Sequence, residues 1–167
     1  MADTTYTLSG DELAQVMASL SERARSIMAS RDMIARPFDY RKPLSTIALY
    51  LASQARQCID QSRDPDGQSY APLKNPSKRR GGASAKPLHD KGFLIASLVG
   101  QGVGHVADIA GATLTYGTNL TSAKGFPYPS VHQLGSSTTP ARAFLGITDA
   151  MKARIRLIVI DWLEREQ

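Results

Sequence analysis

Apolar residues recur at helical spacing from Leu44 to Ile59, which restricts the chain to folds that contain a long amphipathic helix. The apolar face of this helix consists of Leu44, Ile47, Leu51, Ala55, Cys58 and Ile59. Pro43 precedes the stripe, and proline is favoured in the first turn of a helix because its missing N–H would have no partner there. The sequence therefore predicts a helix from Pro43 to about Asp60.

Two further amphipathic helices are predicted, one before and one after this helix in the sequence. Ser9 and Glu12 have the spacing of a capping box, and apolar residues at helical spacing follow them, which predicts a helix over about Gly10–Ser30. Thr148 is expected to cap the last helix, because its hydroxyl can accept from the free N–H groups of the first turn. The apolar face of that helix comprises Met151, Ile155, Ile158, Val159, Trp162 and Leu163.

Short strands are predicted between the second and the last helix. His105–Ala110 and Ala112–Tyr116 alternate as strands do, and Gly111 between them predicts a hairpin or bulge. Asp90 is expected to cap a short helix that precedes them, and Thr118–Thr138 is predicted to be a loop. The sequence therefore predicts an α+β fold with N-terminal helices, a small antiparallel sheet and a C-terminal amphipathic helix.

The length of 167 residues fits one domain with a helical arm. We predict an N-terminal helix and linker arm over residues 1–42 and an α+β domain over residues 43–167. No apolar run approaches the roughly 18–20 residues that cross a bilayer, and no secretory signal is recognisable. Cys58 is the single cysteine, so no intramolecular disulfide is expected, and we interpret it as a small buried residue. Synthesis in a reducing cytoplasm is the expectation.

Sequence motifs for catalysis or metal binding are not recognised. No serine lies in a Gly-x-Ser-x-Gly motif, and the histidines His89, His105 and His132 show no metal-ligand spacing. We expect His89 to act at the start of the short helix and His132 to form a loop hydrogen bond. Gly100–Gly104 lacks the lysine of a phosphate loop and is interpreted as a flexible turn. No catalytic residue, metal site or cofactor is predicted.

A basic loop, residues 74–87, is the strongest electrostatic feature of a chain with a formal net charge of +5. Its cations are Lys74, Lys78, Arg79, Arg80 and Lys86. They are candidates for contact with DNA, because lysine and arginine neutralise phosphates. The alternative is a solvated loop that orders against an acidic neighbouring subunit. We favour the alternative, because no recognition-helix signature accompanies the charge.

Three blocks of sequence resemble one family. They are Asp64–Leu73, Leu88–Ser97, and a third block in which Tyr116–Gly117 is followed by Val131–Gly135 and Pro140–Gly146. The ordered set is similar to the phage virion morphogenesis family, the tail completion proteins of Mu-like and related phages. The likeness extends over roughly two thirds of the chain.

This resemblance implies a structural protein of the virion with no enzymatic activity. It implies a fold similar to that of ring-forming tail-terminator and head–tail-joining proteins, acting in tail completion at the neck or tail terminus after assembly in the host cytoplasm. The implied partners are other copies of the chain in a ring, a hexamer by analogy with tail symmetry, together with the tail tube, the head–tail connector and, at the basic loop, packaged DNA. The alternative function is a small basic nucleic-acid-binding module, and a hydrolase is remote.

Two groups of residues are predicted to act in assembly. The candidate clamp residues are His132, Gln133, Pro140, Arg142, Phe144 and Leu145. The planar Arg142 side chain suits bridging of carbonyls or a carboxylate, and Phe144 suits an apolar anchor. The segment is expected either to lie at a subunit interface or to form a purely intramolecular corner. In the aromatic-basic linker Phe38–Lys42, the residues Phe38, Tyr40 and Arg41 are candidates for an inter-subunit arm.

Overall fold

A computed structural model describes residues 4–8, 39–78 and 81–165 of the chain. Its regular elements are β1 (Thr4–Leu8), α1 (Arg41–Gln61), α2 (Phe93–Leu98), β2 (His105–Ala110), β3 (Thr113–Thr118), α3 (Tyr128–Leu134) and α4 (Asp149–Arg165). Two short 3-10 helices, Pro76–Lys78 and Gly82–Ser84, lie within the basic loop. The predicted α+β class is confirmed. The predicted helix over Gly10–Ser30 lies outside the described residues.

Helix α1 forms where the apolar stripe predicts it. Leu44, Ile47 and Leu51 on this face are at most 5% exposed, so the stripe faces the core along the helix. The helix begins at Arg41, two residues before the predicted Pro43, and the Tyr40 carbonyl accepts the Leu44 backbone N–H at 3.0 Å. Beside this start, the Asp39 carboxylate accepts the Arg41 backbone N–H at 3.1 Å.

The sheet is antiparallel and three-stranded, in the order β1-β3-β2. The predicted hairpin is confirmed, with Ile109 opposite Leu114 and Ala107 opposite Tyr116. Strand β1 was not predicted. It lies in the sequence expected to form an arm, and its Tyr6 is paired with Tyr116 across the other side of β3.

Two apolar clusters form the interior of the described structure. In the larger cluster, α1 and α4 pack on each other and on Leu114 and Tyr116 of β3. The smaller cluster joins α1 to α2 and contains Ala55, Ile59, Leu94, Leu98 and Phe144. Together the clusters place α2 and the chain around Phe144 against the middle and C-terminal half of α1.

Buried hydroxyl groups connect α2 to the sheet. The Tyr116 hydroxyl donates to the Leu98 carbonyl at 2.7 Å, and the Thr118 hydroxyl donates to the Ser97 hydroxyl at 2.9 Å. Ser97 in turn donates to the Leu94 carbonyl at 2.8 Å. Because Ser97 and Thr118 are at most 1% exposed, these bonds satisfy groups that water cannot reach.

Two predictions about secondary structure were wrong. Helix α2 is not capped by Asp90, since Gly92 in a left-handed conformation precedes it and no side chain binds its first turn. The segment Thr118–Thr138, predicted to be a loop, contains the helix α3. Proline is common in loops, but it is also favoured in the first turn of a helix, where Pro129 stands.

The turn before β2 requires glycine at position 104. Its φ is +82°, and a Cβ atom at this position would lie 2.8 Å from the Leu120 backbone. The Gly104 carbonyl accepts the Asn119 backbone N–H at 2.9 Å, which ties the turn to the chain beyond β3. Glycine is required here by backbone strain and by close packing.

Thr148 caps α4 as predicted. Its hydroxyl accepts the Met151 backbone N–H at 3.2 Å, and its carbonyl accepts the Lys152 N–H at 2.9 Å. Ile155 and Leu163 on the predicted apolar face are buried at 1% exposure, whereas Trp162 is only partly buried.

The Thr148→Ala substitution is expected to lower the free energy of unfolding by about 1 kcal/mol, because one N–H of the first turn loses its acceptor. Chemical denaturation followed by circular dichroism measures this difference. Thr121→Ala, at an exposed threonine outside the helices, is the control and is expected to change stability by less than about 0.5 kcal/mol. Equal effects of both substitutions would contradict the capping role.

Candidate functional site

The segment Tyr128–Gly146 begins with α3 and continues as chain without regular secondary structure. Residues 140–147 of this chain, here called the strap, lead into Thr148 and α4. An irregular strap that runs beside the core must satisfy its backbone N–H and C=O groups with partners other than a helix or a sheet. The candidate clamp residues lie in α3 and in the strap.

Gln133 binds the strap from α3. Its side-chain oxygen accepts the backbone N–H groups of Phe144 at 3.0 Å and Leu145 at 3.1 Å. Its side-chain nitrogen donates to the Leu145 carbonyl at 2.7 Å. One amide side chain thus provides both the acceptor and the donor that a neighbouring strand would supply.

Arg142 binds the strap to the chain that follows the turn after α1. Its Nε donates to the Ala71 carbonyl at 2.9 Å, and one terminal nitrogen donates to the Pro72 carbonyl at 3.1 Å. The Arg142 backbone N–H donates to the His132 carbonyl at 2.6 Å. Arg142 is only 6% exposed, so these carbonyls supply part of the polar environment that a buried guanidinium requires.

Tyr70 adds a further bond between the same two segments. Its hydroxyl donates to the Ala143 carbonyl at 2.9 Å, and burial raises the pKa of this hydroxyl well above its usual range. The phenol therefore stays protonated and remains a donor. The sequence did not single out Tyr70 as a partner, because its acceptor is a backbone atom 73 residues away.

The other clamp residues take different positions. Phe144 is 1% exposed and fills the smaller apolar cluster, while Leu145 packs against both clusters. His132 lies in α3, not in a loop, with its ring edge-on to Tyr128 at 6.3 Å between centroids. Pro140 is exposed. The structure thus places all six predicted residues in α3 or in the strap, with Pro140 exposed at the start of the strap, and their place at a subunit interface remains a prediction.

The basic loop is bound to the rest of the structure near both of its ends. The Lys74 ammonium donates to the Thr138 carbonyl at 3.2 Å, and the Lys86 ammonium donates to the Asp60 carbonyl at 3.4 Å. Lys78 is exposed at the end of a short 3-10 helix. Arg79 and Arg80 lie outside the described residues.

A cleft of about 750 Å³ opens between the basic loop and the remainder of the site. Lys74 and Lys86 line it on the loop side, Lys91 and Phe93 line it at the start of α2, and Arg142 lines it from the strap. Asp90 also lines it, and burial together with the nearby Asp90 carboxylate raises the pKa of Tyr128 on the same wall. Cations from separate parts of the sequence therefore meet at one concave surface.

The remaining predicted residues lie away from the cleft or contact the core. The prediction for His89 was wrong, because its Nε2 lies 3.3 Å from the Ile59 carbonyl at the end of α1. Burial raises the pKa of Cys58 to about 11, which disfavours the reactive thiolate at neutral pH. Tyr40 is partly buried against the larger cluster, Arg41 is exposed, and Phe38 lies outside the described residues.

Within the described residues, no group of three or more His, Cys, Asp or Glu side chains could hold a metal ion. In the same part of the chain, no helix is long and apolar enough to cross a membrane.

The sequence profile of the phage virion morphogenesis family matches residues 17–164. No curated protein and no solved structure is significantly similar to the chain. The match begins well before the three resembling blocks and continues through most of α4, so it covers far more than half of the sequence.

The Arg142→Ala substitution is expected to lower the free energy of unfolding by about 2–4 kcal/mol, because two carbonyls lose their donor and a buried side chain leaves a void. Urea denaturation measures the loss. The matched control is Arg154→Ala on the exposed face of α4, which is expected to cost less than about 0.5 kcal/mol. If Arg142→Ala leaves both the fold and self-assembly untouched, the clamp hypothesis fails.

The Gln133→Glu substitution separates the donor of Gln133 from its acceptor. A carboxylate still accepts both N–H groups, but its second oxygen faces the Leu145 carbonyl, which should cost about 2 kcal/mol at neutral pH. Protonation restores an O–H donor, so the deficit relative to the parent chain should shrink as the pH falls. Urea denaturation of both chains at several pH values tests this, with the exposed Gln101→Glu as control. A deficit that does not change with pH would contradict the assigned bond.

Proposed function

This chain belongs to the phage virion morphogenesis family, and from that premise we propose that it acts in tail completion and head–tail joining, as a ring at the neck or tail terminus. Membership makes it a virion-associated protein with a structural or assembly role. The observation that carries the finer proposal is the match over residues 17–164, which includes α1, the β2–β3 hairpin, the strap and most of α4.

The chemistry of the candidate site supports a structural role. Gln133, Arg142 and Tyr70 all direct their polar atoms at backbone groups of neighbouring segments. Such bonds fix the position of the strap and of the surfaces next to it. A protein that joins two large assemblies benefits from rigid surfaces, because little conformational entropy is then lost on binding.

A ring follows from the symmetry that tail completion requires. Heterologous contacts between identical subunits produce a closed ring when the rotation between neighbours closes, and an open filament when it does not. A hexamer matches the symmetry of tails by analogy. We propose that the linker with Phe38, Tyr40 and Arg41 contacts the neighbouring subunit, while β1 from the same region pairs with β3 of its own chain.

Sizing of the purified full chain tests the ring. Light scattering after gel filtration is expected to give about six times the chain mass of 18.1 kDa, and negative-stain images should show rings that bind the ends of tail tubes. Virions assembled without the chain are expected to yield heads and tails that do not join.

The alternative function predicts a different result from the same preparation. A monomer that binds duplex DNA tightly at physiological salt and ignores tail tubes would contradict the ring and support a small basic nucleic-acid-binding module. Because phosphate contacts depend steeply on salt, the DNA measurement is repeated across salt concentrations.

A further inference from the structure

We propose that the cleft beside the basic loop binds an extended acidic peptide segment of another virion protein and holds one apolar side chain of that segment against Phe93. This inference deepens the proposed assembly function and rests on it. Two residues of this surface, Lys91 and Phe93, did not figure in the sequence-based prediction of the site.

The excess of positive charge in the cleft indicates a negatively charged partner. Lys74, Lys86, Lys91 and Arg142 line it, and Asp90 is the one acidic residue among the described lining residues. The carboxylate of Asp60 does not line the cleft, and it has its own partners, Arg56 at 3.4 Å and His89 at 3.6 Å. A concave surface with such an excess of cations attracts an acidic partner and speeds its encounter.

The apolar wall of the cleft distinguishes a peptide from a simple anion. Phe93 is 61% exposed although it stands at the first position of α2, while its neighbour Leu94 is buried at 4%. Leu73 and Leu88 line the same cleft. An exposed aromatic ring beside aliphatic side chains is the usual composition of an anchor site in a protein interface.

The cleft is formed before any partner binds. Lys74 holds one end of the basic loop to Thr138 and Lys86 holds the other end to α1. The volume of about 750 Å³ falls within the roughly 300–1,000 Å³ of sites that enclose ligands. Because the walls are already placed, binding does not have to order them.

DNA fits these features less well than an acidic peptide. Contacts to the phosphate backbone use cations alone, so the apolar wall would be left without a partner. Stacking of single-stranded bases would need several aromatic side chains in series. A segment rich in Asp and Glu with one Leu or Phe satisfies both the cations and the apolar wall.

Three synthetic 12-residue peptides and the full chain provide the test, with fluorescence polarisation as the measurement. The first peptide is acidic with a central Phe, the second replaces that Phe by Ser, and the third replaces every acidic residue by Lys. The first should bind about tenfold more tightly than the second, and the third should not bind. A 12-base-pair DNA duplex is measured beside them.

Matched variants connect binding to the cleft. Lys91→Glu should weaken the first peptide about tenfold, whereas Lys124→Glu, at an exposed lysine outside the cleft, should change it less than about twofold. Phe93→Ser should reduce the first peptide to the affinity of the second. Phe126→Ser is its control, since Phe126 is 54% exposed and does not line the cleft. Circular dichroism melting verifies that each variant is folded.

Several results would overturn the inference. The chain could show no preference for acidic peptides, or Lys91→Glu and Lys124→Glu could weaken binding equally. The third such result is DNA binding that requires Lys91 while the peptides do not bind.

Virions assembled with Lys91→Glu supply a separate readout. If they join heads and tails at the parental yield although peptide binding is lost, the cleft inference fails and the proposed function stands. If the parent chain binds the acidic peptide but is not needed for joining, the tail-completion proposal fails and, with it, the assignment of the partner to the virion.

Discussion

The hydrogen bonds that Gln133 makes with the backbone of the strap determine how the described structure closes. The strap has no helix or sheet to pair with, and leaving its buried N–H and C=O groups without partners would cost about 1–3 kcal/mol each. Gln133 satisfies groups of Phe144 and Leu145, and Arg142 attaches the strap to the chain after α1. Side chains thus do for this segment what a neighbouring strand does in a sheet.

The position of the strap then determines the position of the last helix. Thr148 follows the strap directly and caps α4, so a shift of the strap would move the start of α4 relative to α1. Leu145 packs against both apolar clusters, and Phe144 is buried in the smaller one. The strap therefore connects the α1–α2 cluster to the α1–α4 cluster, which explains why a short irregular segment carries so many specific contacts.

Periodicity was enough to predict the long elements of the fold. The stripe of α1, the stripe of α4 and the alternation in β2 and β3 depend on local burial, so the local sequence records them. Strand β1 is different, because five residues from Thr4 to Leu8 gain their conformation by pairing with Thr118 to Leu114, more than 100 positions away. Helix α3 is short, and Pro127 and Pro129 at its start made the sequence look like a loop. Pairing over long distances and short helices leave weak local signals.

For the contacts of the candidate clamp residues, the sequence identified the side chain but not the backbone group that it binds. A resemblance to a family identified Gln133, Arg142 and Phe144 as residues of interest, since their side chains are distinctive. Their partners are backbone groups, such as the carbonyls of Ala71 and Pro72 and the N–H groups of Phe144 and Leu145. Every residue has a carbonyl, and nearly every residue has an N–H, so residue identity does not show which of them is bound.

Cations that are neighbours in the sequence proved a poor guide to which cations lie close together in the fold. The run of cations in the basic loop suggested one basic patch, yet Lys74 and Lys86 bind backbone carbonyls near the two ends of the loop. Lys91 from the start of α2 and Arg142 from the strap join them at the cleft. The surface at the cleft is therefore a cluster that the fold creates, in which cations and Phe93 line the same concave surface. A linear basic segment attracts any polyanion, whereas a cluster with an apolar wall selects among them, because a partner must match both the charge and the apolar surface.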